Sequence, residues 1–340
     1  MIKTRESKKE INIGLQLLKI YLSYTVVNSH CLKKINISYN IKFFLSNNLH
    51  VPTFFIISFY FFHKTLISRD LKKFVQRFYR LLIPYIIWPF IIFIINNIIW
   101  FIHNIYFPRS FKYLRNQLLT GNSFIRTLWF QWDLIYQTSL FIIIELLFHK
   151  QIIFILINIE FISYFLQYSN YNYKYFIKFI NEQKYIFGRF FETIPYSIYG
   201  FIIAYFDIIK YLKKNRIKTI YSFFIVFCLF YKYKIIVNPY GFGYQSLKNH
   251  VLCICLFISF SLISNNFFPK FLIILIKQIS KFTGGIYYIH ISLYYYCRYI
   301  FLSVKNKTIY GSLLIYIISY MICLIGNKIL FKTILKNLFQ

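Results

Sequence analysis

The sequence predicts an all-α, polytopic integral membrane protein with about ten transmembrane helices in one bundle, and three observations carry that reading. Of its 340 residues, 58% are hydrophobic and 23% aromatic but only 14% charged, which is too apolar for a single soluble core of this length. Apolar runs of about 20 residues, long enough to cross a hydrocarbon core, recur along the whole chain. The separators between them are short and rich in Lys, Asn and Pro, and none is long enough to fold as a soluble domain.

The runs fall in order at 14–32, 51–67, 81–102, 128–148, 151–168, 190–209, 218–237, 249–266, 283–303 and 309–330. They divide the chain into a basic N-terminus at 1–13, one membrane domain at 14–330 and a short tail at 331–340. No self-similar halves are visible. The first run has no clear small-residue cleavage site and carries Lys19 in its middle, so it is expected to remain in the mature protein.

The net charge of +31 raises nucleic-acid binding as a possibility. Basic residues sit mostly between the runs and aromatics within them, and joint enrichment in Lys, Asn, Ile, Phe and Tyr matches A/T-rich coding, so no nucleic-acid partner is expected. The charge instead gives an orientation. Lys3, Arg5, Lys8 and Lys9, the cluster from Lys64 to Arg80 and the cluster from Lys210 to Lys218 share one side if the spans alternate. By the positive-inside rule that side is the cytoplasm, with both termini on it. The six cysteines (Cys31, Cys228, Cys253, Cys255, Cys297, Cys323) have no CxxC spacing and suggest neither a disulfide framework nor a metal site.

Polar groups inside apolar spans are costly, so each is a functional candidate by default. In "KIYLSYTVVNSH", eleven helical steps bring His30 back to within about 20° of Lys19, about 16 Å further along the same face. His30 suits proton transfer from a hydroxyl, because imidazole titrates near neutrality. The plain structural alternatives are a histidine bonded to a neighbouring helix and a lysine stem that snorkels to the interface. In "KKFVQRFYRLLIPY", Arg77 and Arg80 share a helix face and present two guanidinium forks suited to phosphate. The alternative there is a positive-inside anchor. Glu145, Glu160 and Glu192 are each expected to neutralise a buried basic group, Glu192 first among them.

The order of these features resembles the acyltransferase-3 family of membrane O-acyltransferases. The family has a basic residue and a histidine in its first span at the spacing of Lys19 and His30, with Arg more usual at the first position. "VPTFFIISFY" matches a family phrase at Val51, Phe54, Phe55 and Ser58, with Phe59 where the family has glycine, a departure that bears on close helix approach. Arg77, Arg80, Pro84 and Tyr85 match its Arg-x-x-Arg and Leu-x-Pro-x-Tyr elements, "LWFQWDL" matches a span start, and "FTGGIYYIH" matches at Gly285, Ile286, Tyr287 and His290.

The resemblance, which runs from about residue 11 to 330, implies transfer of an acyl group, often acetyl, from acyl-CoA to a hydroxyl of a carbohydrate or lipid-linked sugar. His30 is then the expected catalytic residue, and Lys19, Arg77 and Arg80 the expected donor-binding residues. Ser58, Glu192, Tyr287 and His290 are the expected acceptor pocket. Acyl-CoA acts as a donor substrate, with no resident cofactor or metal, and the lipid bilayer is the remaining partner. Two alternatives stay open: a transporter or flippase that does no covalent chemistry, and an inactive relative.

Overall fold

The computed structural model describes residues 12–31, 49–103, 110–120, 128–169, 188–232, 247–300 and 309–329. Every regular element among them is helical, so the fold is all-α. The N-terminal stretch up to residue 11 and the 331–340 tail lie outside the described residues.

The α-helices are α1 (Ile13–Cys31), α2 (His50–Ile67), α3 (Leu71–His103), α4 (Phe111–Thr120), α5 (Leu128–Phe148), α6 (Ile152–Ser169) and α7 (Gly188–Tyr205). They continue as α8 (Ile208–Leu212), α9 (Arg216–Lys232), α10 (Leu247–Ser261), α11 (Lys270–Lys281), α12 (Thr283–Ile300) and α13 (Ile309–Ile329). By length and composition, three stretches among the described residues can cross a membrane: Leu71–Ile98, Leu128–Phe165 and Ile309–Ile329. The second joins α5 to α6 through the single turn His149–Gln151. The expected count of about ten spans is met only in part by this measure. α1, α2, α7 and α12 have 18 or 19 residues, but polar side chains such as Lys19, His63, Glu192 and Tyr294 dilute their hydropathy.

Several boundaries depart from the apolar runs for local reasons. α3 begins ten residues before the run at 81, because Asp70 caps it: its Oδ1 accepts the Lys73 N–H at 3.2 Å, and its Oδ2 lies 2.8 Å from the Lys73 ammonium. The hydrogen bond from Lys73 also holds the Asp70 carboxyl below its usual range. α7 stops at Tyr205 because Asp207 takes a left-handed conformation (φ 49°). α11, with a lysine at each end, was not expected from the apolar runs at all.

α1 is the central helix, packed by α2, α10, α11, α12 and α13. Asn12 starts it, accepting the Leu15 N–H at 3.1 Å while donating to the Ser261 carbonyl at the end of α10 at 2.8 Å. The most extensive helix pair is α2 with α7. A Cβ on Gly200 would lie 2.2 Å from the Ile56 carbonyl oxygen, so the two backbones touch there. The contacts climb together, Ile56 against Gly200 and then His63 against Phe201 and Tyr205, so these helices run parallel. Phe59 stands where the resemblance has glycine; it is fully buried with its ring 4.5 Å from that of Phe141 on α5. The close approach of α2 is thus supplied by Gly200 of its partner. Large apolar side chains such as Phe101, Phe154 and Phe161 cover the outer faces, as contact with lipid requires.

Candidate functional site

The polar residues of α1 divide into two sets. The hydroxyls of Ser23, Thr25 and Ser29 lie 2.9, 2.8 and 2.7 Å from carbonyls one turn earlier, and Ser23 also meets the Tyr316 hydroxyl of α13 at 3.0 Å. Lys19 and His30 turn instead toward α12.

Lys19 lines a cavity of about 270 Å³ shared with Phe54 of α2, Phe130 of α5, Ser280 and Lys281 of α11, and Thr283, Gly284, Tyr287 and Tyr288 of α12. Its wall is largely aromatic: the Phe130 ring is 6.1 Å from Phe54 and 5.3 Å from Tyr287. Tyr288 is fixed by donating its hydroxyl to Gln131 Oε1 at 2.6 Å, while Gln131 Nε2 donates to the Leu81 carbonyl at 2.8 Å. No carboxylate lines it among the described residues.

The His30 ring lies 5.2 Å from the ring of His290, which is completely buried. His290 Nδ1 is 3.1 Å from the Ile286 carbonyl oxygen. A carbonyl only accepts, so Nδ1 carries the proton and the neutral ring keeps a lone pair on Nε2. That Nε2 has no hydrogen-bond partner among the described residues. Tyr287 connects the two features, since it lines the Lys19 cavity and its ring is 6.1 Å from His290. The structure therefore brings Lys19, Tyr287, His290 and His30 together along one α1–α12 interface.

Arg77 and Arg80 have different surroundings. The Arg77 guanidinium donates to Ser58 Oγ at 2.9 Å and to Thr138 Oγ1 at 3.2 Å, and it lies 4.1 Å from the centre of the Phe62 ring. Arg80, one turn on, is exposed. Ser58 thus meets Arg77. Glu192 is buried in a separate polar group between α5 and α7. There Thr193 donates to Asp133 Oδ2 at 3.3 Å and accepts from Gln137 Nε2 at 2.7 Å, and Ser197 donates to Gln137 Oε1. Glu145 pairs with basic groups at the surface rather than with a buried one: its buried carboxylate takes the Arg69 Nε at 3.2 Å and also meets His149, and both partners are exposed.

Sequence reasoning passed over Asp133, Gln131 and Lys281. Asp133 had a readable signal, an acid inside an apolar span within the quoted "LWFQWDL". Lys281 had none, because it sits in a charged stretch that reads as a separator.

A sequence model of the acyltransferase-3 family, described as an acyltransferase domain, matches residues 12–329. No curated protein and no solved structure matches the chain.

Proposed function

From the premise that this chain belongs to the acyltransferase-3 family, and so is a membrane-bound acyltransferase, we propose that it moves an acyl group, acetyl in the first instance, from acyl-CoA to a hydroxyl of a carbohydrate or lipid-linked sugar. The observation that carries this reading is the continuous α1–α12 interface, on which a cationic cavity at Lys19 leads through Tyr287 to the paired His30 and His290.

In this reading the acceptor hydroxyl gives its proton to His30 as its oxygen attacks the thioester carbonyl. The new C–O bond forms, the C–S bond breaks, and His30 returns the proton to the departing CoA thiolate. His290, its Nδ1–H held by the Ile286 carbonyl, offers Nε2 as a second acceptor beside the reacting hydroxyl. Arg77, held by Ser58 and Thr138, ties α3 to α2 and α5, and the exposed Arg80 is free to meet a phosphate at the surface.

The reading also places the protein across the membrane in about ten spans with both termini cytoplasmic. Helix directions support alternate crossing. α2 runs parallel to α7 and α5, α12 runs parallel to α1, and α3 runs antiparallel to α5, with Gln131 at Leu81 and Thr138 at Arg77. Lys19 then lies toward the cytoplasm, where acyl-CoA is made, and His30 lies deeper.

The test is incubation of membranes containing the wild-type protein, or a His30→Ala variant of equal abundance, with radiolabelled acetyl-CoA, following label into glycan and lipid fractions. Incorporation by the wild type is expected to fall about 10²- to 10⁴-fold in the variant. Wild-type protein that transfers no label from acetyl-CoA or longer acyl-CoAs, in membranes holding candidate acceptors, would overturn the reading. Uptake of a substrate without acyl-CoA would favour a transporter.

A further inference from the structure

The Lys19 cavity holds a second ammonium group with no part in the scheme above. Lys281 is the last residue of α11, and a single residue, Phe282, separates it from the start of α12. Its Nζ lies 5.6 Å from the centre of the Phe282 ring, and that buried ring is anchored in turn against Tyr320 of α13 at 5.8 Å. A cation held over a ring face is steadied there rather than left to sweep through solvent. The lysine is thereby kept at the cavity wall.

Lys19 and Lys281 line one small space together with the hydroxyl-bearing Ser280, Thr283, Tyr287 and Tyr288, and among the described residues no carboxylate joins them. Neither lysine is in an ion pair with a carboxylate among the described residues; Glu145 and Asp70 pair elsewhere. Lys19 is a cation in a partly enclosed cavity, and an anion bound beside it offsets the cost of burying that charge. Ammonium groups suit a phosphate, whose oxygens take charge-assisted hydrogen bonds from them. Size narrows the occupant further. Whole drug-sized ligands fill pockets of about 300–1,000 Å³, so a cavity of about 270 Å³ takes one part of a larger molecule.

We propose that this cavity is a phosphate subsite in which Lys281 acts with Lys19, and that the phosphate belongs to the CoA part of the donor. The proposal rests on the acyl-CoA reading above. The same phosphate chemistry is carried by anionic lipid headgroups, so the experiment separates the two sources.

Purified wild-type protein, Lys281→Gln and Lys281→Arg are compared by calorimetric binding of CoA and of pantetheine, which lacks all the phosphates. Native mass spectrometry of the same samples in phosphatidylglycerol micelles counts bound lipid. Loss of one charge-assisted contact is expected to weaken CoA binding about tenfold in Lys281→Gln. Lys281→Arg should recover most of it, and pantetheine should bind all three proteins alike. Matching melting temperatures for the three proteins exclude a folding defect. Lower phosphatidylglycerol occupancy in Lys281→Gln with unchanged CoA affinity would support the phosphate subsite and assign it to a headgroup. Unchanged CoA and lipid binding, or an equal loss of CoA and pantetheine, would overturn it. Failure of acyl transfer by a wild type that still binds CoA through Lys281 would count against the enzymatic reading alone.

Discussion

Two cations inside this helical bundle, Arg77 and Lys19, have opposite surroundings. Arg77 is spoken for: two hydroxyls from α2 and α5 accept its N–H groups, and the rings of Phe59 and Phe62 pack against its guanidinium. Lys19 opens instead onto a cavity whose other polar lining consists of a second lysine and hydroxyl groups. The sequence treats both as candidates for the same task, because each is a costly charge in apolar surroundings. The difference teaches that the cost of a charge identifies a candidate, while its partners decide whether it is committed to the scaffold or left for a ligand.

The largest effect that would test this contrast is on stability. Arg77→Gln removes two charge-assisted hydrogen bonds and is expected to cost about 2–4 kcal/mol, read from thermal unfolding of the purified protein. An unchanged melting temperature would break the contrast at its firmest point. Next, Lys19→Gln should raise the KM for acyl-CoA about tenfold with little change in kcat, since it removes a contact to bound donor without touching the reacting atoms. Its stability should hold or rise, because an unpaired cation leaves the interior. A fall in kcat at constant KM would instead move Lys19 into the chemistry. The smallest effect belongs to the exposed Arg80. Its replacement by Gln should shift stability by no more than about 0.5 kcal/mol, and a larger loss would show that Arg80 shares the scaffold role of Arg77.

Hydropathy made much of the fold legible. The runs at 128–148 and 309–330 coincide closely with α5 and α13, and α1, α2 and α6 begin and end within a residue of theirs. Hydropathy was blind where helix and apolar content part company. The basic start of α3 remains helical because nothing in "KKFVQRFYR" breaks a helix and Asp70 caps it. α11 is amphipathic and bounded by lysines, so it looks like a connection. Within the site, the shared face of Lys19 and His30 followed from helical periodicity alone. The meeting of His30 with His290, and the sharing of one cavity by Lys19 and Lys281, depends on how α1 packs against α11 and α12, and no local pattern encodes that. Glu192 was picked for its charge, yet its neighbourhood is set by Asp133, Gln137 and Thr193 from two helices.

The contact of Gly200 with the Ile56 carbonyl has a mechanical meaning. Side chains between helices act as soft bearings, able to change rotamer and let the helices slide, whereas backbone against backbone leaves nothing to yield. α2 and α7, with the Phe141 ring of α5 packed against Phe59 and Phe201 of the pair, therefore form the stator of this protein. On the other side of α1, α11 and α12 meet at the single residue Phe282. Lys281 sits at that joint, so the packing of α11 against α1 sets where this charge meets the cavity.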